Sequence, residues 1–201
     1  MVVLSQERRQ AMDNGPIALK EWAVAIRALA EGRQIVLLRK GGIVEETKEF
    51  RLESPSFWLY PTFEHQRREL LKEEAQPTLA ETLEEWSAEA GLTEIGCYAE
   101  VAADIEVTSQ EQLNRIRAYH IWTDHFAEER LKWKRQKPLH VLLLRIYKLD
   151  APVSVPTLDS YSGCKSWIRI ESELPESGKR PVMDEARFER ISQEIKTLLA
   201  Q

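Results

Sequence analysis

The chain has 201 residues, of which 43% are hydrophobic and 30% charged, with a formal net charge of −5 and a pI near 5.6. This is the composition of an ordinary globular protein, and the length suits a single domain. The acidic balance disfavours binding to nucleic acid through bulk charge alone. Two cysteines are too few for a disulfide framework or a cysteine-rich zinc site.

Residues 1–16 are predicted to be a polar lead-in that closes at the turn signal Asn14-Gly15-Pro16, with one domain over residues 17–201. The lead-in becomes charged after four residues and lacks the apolar centre of a signal peptide. No apolar run approaches the roughly 18 residues that a membrane-spanning helix needs. We therefore expect a cytoplasmic protein that does not associate with membranes.

In the first half of the chain, apolar residues at three- and four-residue spacing predict a helix over residues 18–31, ended by Gly32 as a positive-φ cap. A second helix is expected over residues 62–74. A third follows a capping box of Thr78 and Glu81, with its apolar face formed by Leu79, Leu83 and Trp86. Strands are predicted over residues 34–39, 50–53 and 57–60, with a reversal at Gly41-Gly42.

In the second half, helices and strands interleave, but the strands are short and irregularly spaced. Strands are predicted over residues 95–107, 119–122, 139–149 and 166–170. Helices are predicted over residues 109–116, 124–131 and after Asp184. This pattern favours the α+β class, with a mixed, mainly antiparallel sheet flanked by helices, over a doubly wound parallel sheet.

The first candidate ligand site lies at the end of the strand over residues 34–39, where Arg39 and Lys40 precede Gly41 and Gly42. Backbone N–H groups of a glycine pair beside two cations are suited to hold a phosphate or carboxylate. The alternative is an ordinary β-turn with solvated basic side chains.

The segment after the strand over residues 57–60 adds further polar groups. His65 is a candidate general acid or base near neutral pH, with Glu64 as its partner. His65 and Gln66 are candidates for contacts with the polar edges of a ligand, and Tyr60 for stacking on a base. Thr62 is a further candidate ligand-binding residue. The alternative for His65 is a structural position at a helix start. We predict no metal site and no cofactor.

Two more segments carry candidate residues. Arg130, Lys132 and the stretch WKRQK over residues 133–137 combine cations with Trp133, as in sites for single-stranded nucleic acid, although a solvated loop gives the same pattern. Lys165 follows the turn of Ser162 and Gly163. The triplet at residues 46–48 is of the kind found in nucleases, but the strand before it ends in cations and not in a carboxylate.

The segments ALKEWAVAIRAL, LLRKGGI, FWLYPTFEHQ, KPLHVLLLRIYKLDAP and YSGCKSWIRI together resemble the family called domain of unknown function 1802, over residues 17–170. That family occurs in cyanobacteria and other prokaryotes, and the resemblance implies no activity. The chain is also similar, at the level of fold, to the PUA-like group that includes ASCH domains. Those place G-x-K-x-x-E-x-R on a strand after a helix. Here Gly32 and Arg39 fit, while Gln34 and Leu37 replace the lysine and the glutamate.

PUA-like folds mostly bind RNA or modified bases, so this similarity implies a nucleic-acid ligand. Our first hypothesis is a domain that binds RNA, single-stranded DNA or a phosphate-bearing small molecule. The second is a hydrolase or nuclease-like enzyme that uses His65 and Glu64. The third is a protein-interaction module without catalysis.

Overall fold

The computed structural model describes residues 15–40, 51–87, 91–132, 138–163 and 165–201. The strands are β1 Ile17–Trp22, β2 Val36–Arg39, β3 Ser56–Thr62, β4 Leu92–Val107, β5 Leu139–Pro156, β6 Trp167–Arg169 and β7 Lys179–Pro181. The helices are α1 Ala23–Ala30, α2 Gln76–Glu84, α3 Gln110–Arg115, α4 Asp124–Lys132 and α5 Glu185–Ala200. Of these described helices, none is long and apolar enough to cross a bilayer.

The described strands form a single sheet in the order β2-β5-β4-β3-β1-β6. Strand β5 pairs with β4 along one edge, while its other edge pairs first with β2 and then with β7. The pair of β1 and β3 is parallel, and the other pairs are antiparallel. The prediction of an α+β domain with a mixed, mainly antiparallel sheet is confirmed.

The sheet is strongly curled. Strands β2 and β1 are four places apart in the sheet order, which in a flat sheet is about 19 Å at the usual spacing between strands. Nevertheless, Nη1 of Arg39 in β2 lies 3.3 Å from the backbone oxygen of Lys20 in β1. One arginine side chain bridges the two strands only because the sheet folds back on itself, which places the end of β2 against the end of β1.

The predicted helix over residues 18–31 is wrong in its first part, because residues 17–22 form β1. Parallel pairing with β3 buries Ala18 and Leu19 completely, and this tertiary pairing overrides a sequence compatible with a helix. Helix α1 begins only at Ala23. The cap is confirmed: Gly32 has a φ of 65°, and its N–H donates to the backbone oxygen of Leu29.

The predicted helix over residues 62–74 is also wrong. Strand β3 runs on to Thr62, and a turn then gives His65 a φ of 63°. Only short 3₁₀ turns follow, at residues 68–70 and 73–75. The neighbours Leu70 and Leu71 are both buried, and Leu71 forms a β-bridge with Trp122, so this segment packs as an irregular cover of the core.

Helix α2 begins two residues before the predicted capping box, with Pro77 in its first turn. The Thr78 hydroxyl accepts a hydrogen bond from Nη2 of Arg33 instead of capping the helix. Leu79 is buried as predicted, but Leu83 is 41% and Trp86 38% exposed.

The second half follows the predictions more closely. Strands β4 and β5 cover residues 95–107 and 139–149 and extend beyond them, and β6 lies within residues 166–170. Ser109 and Asp184 cap α3 and α5 by accepting backbone N–H bonds. Residues 119–122 do not form a strand, since a 3₁₀ turn ends at residue 119. Residues 51–53 lie outside the strands as well, and Phe50, Gly41 and Gly42 lie outside the described residues.

Candidate functional site

Three of the predicted site residues meet at the junction between β1 and α1. Nη1 of Arg39 donates to Oε2 of Glu21 at 3.0 Å, and the Thr62 hydroxyl donates to the Glu21 backbone oxygen at 3.0 Å. Oε1 of Gln66 accepts from the backbone N–H of Val24 at 3.1 Å. The ends of β2 and β3 and the segment after β3 therefore converge on one point of the fold.

The junction has few capping groups of its own. Trp22 is the N-cap residue of α1, and its side chain makes no capping hydrogen bond. The first N–H groups of a helix need external acceptors, and the helix dipole gives this end partial positive charge. Gln66 supplies one acceptor from a distant part of the chain, while Oε1 of Glu21 accepts the N–H of Trp22 at 2.8 Å.

A cavity of about 690 Å³ opens beside this junction, and we call it the arginine pocket. Its lining comes from the end of β1, the segment after β3 and one face of α4. The lining residues are Trp22, His65, Arg67, Leu70, Phe126, Glu129, Arg130 and Lys132. One part of this lining is aromatic or aliphatic and the other is mostly cationic, as expected of a site for a ligand with both characters.

The apolar part of the pocket is a packed aromatic group. The Phe126 ring lies 5.7 Å from the Trp22 ring and 5.3 Å from the Trp122 ring, which stacks on it almost in parallel. Phe126 and Trp122 are buried, whereas Trp22 is partly exposed. Trp22 is thus the aromatic ring of this group that a ligand can reach.

The carboxylate of Glu21 and the guanidinium of Arg39 form an ion pair behind the pocket. Glu21 is only 8% exposed and its Oε2 is 3.0 Å from Nη1 of Arg39. Lys40 is 3% exposed, and its Nζ donates to the backbone oxygen of Leu131 at 2.6 Å, in the last turn of α4. Burial lowers the pKa of Lys40. Its ammonium satisfies a carbonyl at a helix C-terminus, where a cation is favourable.

Arg130 lies on the wall of the pocket with its guanidinium over the Phe126 ring, 5.1 Å from the ring centre. Burial lowers the pKa of Arg130, and the charge of Arg39 lowers it further, while Glu21 and Glu129 oppose the shift. Within the described part of the chain, neither Arg130 nor Lys40 forms an ion pair with a carboxylate. Of the residues that the structure describes, three cations (Arg39, Lys40 and Arg130) and one buried carboxylate (Glu21) thus lie in or behind this wall.

Other predicted residues lie around a second cavity of about 260 Å³. Tyr60, Thr62 and Glu64 line it together with residues 161–163. The Tyr60 hydroxyl is 3.1 Å from the Thr93 hydroxyl at its base. Glu64 and His65 therefore line different cavities, and the pair suggested for acid–base chemistry does not share one. Lys165 is exposed and donates to the backbone oxygen of Ser160 at 3.3 Å.

Several residues in or behind the arginine pocket were not identified as site residues from the sequence. Trp22 fell on the apolar face of a predicted helix, and Glu21 and Arg67 carried no signal of their own. Arg130 and Lys132 belonged to the basic stretch over residues 130–137 that the sequence analysis singled out, so the sequence did indicate the C-terminal end of α4. Trp133 lies outside the described residues, so its predicted stacking role stays a prediction.

The chain is similar to a known protein family. A family model described as a domain of unknown function (DUF1802) matches residues 18–194. No curated protein and no solved structure matches the chain. The similarity to PUA-like domains accordingly stays a prediction.

Proposed function

The chain belongs to the DUF1802 family, and from the arginine pocket we propose that it binds a nucleotide-like ligand, an anion joined to a flat apolar group. The charge imbalance around Arg130 carries this proposal. A cation taken out of water costs several kcal/mol unless an opposite charge compensates it. Among the described residues, Glu21 pairs with Arg39 and no carboxylate pairs with Arg130 or Lys40. An anion in the pocket would supply the missing negative charge.

The size and the apolar lining of the pocket support the second part of the proposal, which is that the ligand contains a flat apolar group. Its volume of about 690 Å³ falls within the range of about 300–1,000 Å³ that is usual for small-ligand sites. Trp22 offers a reachable aromatic face beside Leu70, and stacking of a base on such a ring contributes about 1–3 kcal/mol. A ligand that combines a base and a phosphate uses both parts of the lining.

His65 lies on the rim of this pocket, exposed and with a φ of 63°. A left-handed backbone is uncommon outside glycine and is more frequent at binding sites than elsewhere. In the proposed complex the imidazole contacts a polar edge of the ligand, in line with the sequence hypothesis. Arg39 and Gln66 stabilise the junction through their hydrogen bonds to Glu21 and Val24, and they are not required to contact the ligand.

The proposal is tested by isothermal titration calorimetry. The full chain is titrated with nucleoside 5′-monophosphates and with short single-stranded oligonucleotides, and the affinity of each is measured. Binding must weaken between 50 and 200 mM salt, because phosphate contacts depend on ionic strength. Hydrogen bonds to charged groups contribute about 1.5–3 kcal/mol, so Arg130→Gln is expected to lower affinity about tenfold or more.

Arg180→Gln is the matched control. Arg180 is an exposed arginine of β7 that pairs with Asp150, away from the pocket, and its replacement should leave affinity unchanged. Circular dichroism establishes that both variants are folded. Equal affinity for the wild type and Arg130→Gln, or no binding by any of these ligands, would refute the proposal.

A further inference from the structure

We infer that the anion recognised in the arginine pocket is a terminal phosphate monoester with two negative charges, and not a phosphodiester with one. This inference rests on the proposed function and adds the chemical class of the ligand. It follows from the pairing of each charge in and behind the pocket wall.

The cations at the rim are already compensated by neighbouring carboxylates. Nε of Arg67 is 3.3 Å from Oε1 of Glu69, and its Nη2 is 3.6 Å from Oε2 of Glu129. Lys132 forms an ion pair with Glu128 one turn earlier in α4. The rim therefore contributes little net charge, and its exposed ion pairs are screened by solvent.

Beyond the rim, two cations have no carboxylate partner among the described residues: Arg130, which is partly exposed, and Lys40, which is buried. Arg39, in contrast, is paired with Glu21. A phosphate monoester carries a charge of about −1.5 to −2 at pH 7, which matches this excess. A diester carries a single charge and leaves one of the two cations uncompensated.

The two cations have separate roles. Arg130 lines the cavity, and its planar guanidinium suits two phosphate oxygens at once. Lys40 is buried on the Leu131 carbonyl, one residue further along α4, so it acts on the anion through its charge and without contact. Arg130 is thus the binding residue, and Lys40 is an electrostatic residue that favours the second negative charge.

The inference is tested by titrating the full chain with uridine 5′-monophosphate, its 5′-methyl phosphate ester and uridine. The two phosphates share base and sugar and differ by one charge. At pH 7.5 the monoester is expected to bind about tenfold more tightly than the methyl ester. This ratio should shrink at pH 5.5, because the monoester gains a proton with a pKa near 6 and the methyl ester does not.

Both ligands meet the same charged and titratable groups of the protein, which are Glu21, Arg39, His65, Arg67, Glu69, His125, Glu128, Glu129 and Lys132. A positive charge gained by the protein at lower pH would favour the more highly charged monoester and raise the ratio, so it cannot cause the expected fall. Lys40→Met should reduce the ratio at pH 7.5, whereas Lys148→Met, at an exposed position of β5, should not. Hexauridylates with and without a 5′-phosphate distinguish a free nucleotide from a strand end as the source of the monoester.

Equal affinity of monoester and methyl ester at both pH values overturns the dianion inference and leaves the proposed function intact. Absence of binding by either phosphate overturns the dianion inference, and it overturns the proposed function as well if the other nucleoside 5′-monophosphates and the oligonucleotides also fail to bind. If Lys40→Met does not fold, the ratio at the two pH values, measured on the wild-type chain, still decides the question.

Discussion

His120 gives a pH dependence of stability whose size follows from its surroundings. It is 4% exposed, its ring lies 5.8 Å from that of Trp122, and Nζ of Lys72 donates to its backbone oxygen at 2.7 Å. Burial, and to a smaller extent the charge of Lys72, lower the pKa of His120 from 6.5 to about 4, although Asp124 and nearby backbone groups oppose the shift. The native state thus keeps this imidazole neutral.

The sign follows from comparing the two states. The unfolded chain binds a proton at His120 below pH 6.5, whereas the native state binds it only near pH 4. Stability from this residue is therefore complete above pH 6.5 and is lost as the pH falls. By linkage, the free energy of unfolding drops by about 2 kcal/mol at pH 5 and about 3 kcal/mol at pH 4 relative to neutral pH.

Urea denaturation of the wild type and His120→Gln at pH 7.5, 5 and 4 measures this effect. Glutamine has no proton to bind in this range, so His120→Gln should lose about 2 kcal/mol less than the wild type between pH 7.5 and pH 5. Carboxylates titrate in both proteins and cancel in the comparison. His125→Gln, at a solvent-exposed position of α4, should behave as the wild type. Parallel curves for the wild type and His120→Gln would refute the reasoning.

Two further predictions concern the junction and the end of α1. Glu21→Gln removes the carboxylate that forms an ion pair with the partly exposed guanidinium of Arg39. The free energy of unfolding should therefore fall by about 3 kcal/mol and recover in part in phosphate buffer. A loss below about 1 kcal/mol in urea denaturation contradicts this. Gly32→Ala places a Cβ 3.3 Å from Cγ1 of Val182 at a φ of 65°, and should destabilise by about 1–2 kcal/mol in the same assay. Gly91→Ala, at a φ of 61° with open space around it, should lose less, and an equal loss would rule out the Val182 contact as a cause.

The sequence predicts a helix or strand correctly where its pattern of apolar and capping residues matches the burial and the ends of that element in the fold. The strand over residues 139–149 is an apolar run that is buried in the sheet, and the caps Ser109 and Asp184 act locally. Strand β1 was not predicted, because Leu19 and Trp22 also fit the face of a helix. Its conformation is set by parallel pairing with β3, more than 35 residues away in the sequence.

The candidate site, like the fold, could be predicted only in part from the sequence. Strand ends next to polar residues pointed to Arg39 and His65, and the structure places both near the arginine pocket. The charge balance around Arg130 follows from the curl of the sheet and from the packing of α4, neither of which has a local signal. Which cations have a carboxylate partner can be counted only when the distances are known.

The shared edge of β5 has a consequence for synthesis on the ribosome. Strand β2 covers residues 140–143 of this edge and β7 covers residues 147–149, so the first and last thirds of the chain meet on one strand. The guanidinium of Arg187 also donates to the backbone oxygen of Gly32. A nascent chain that ends before residue 179 leaves residues 147–149 of the β5 edge and the end of α1 uncovered. Its native state is completed only when the C-terminal segment has emerged from the exit tunnel.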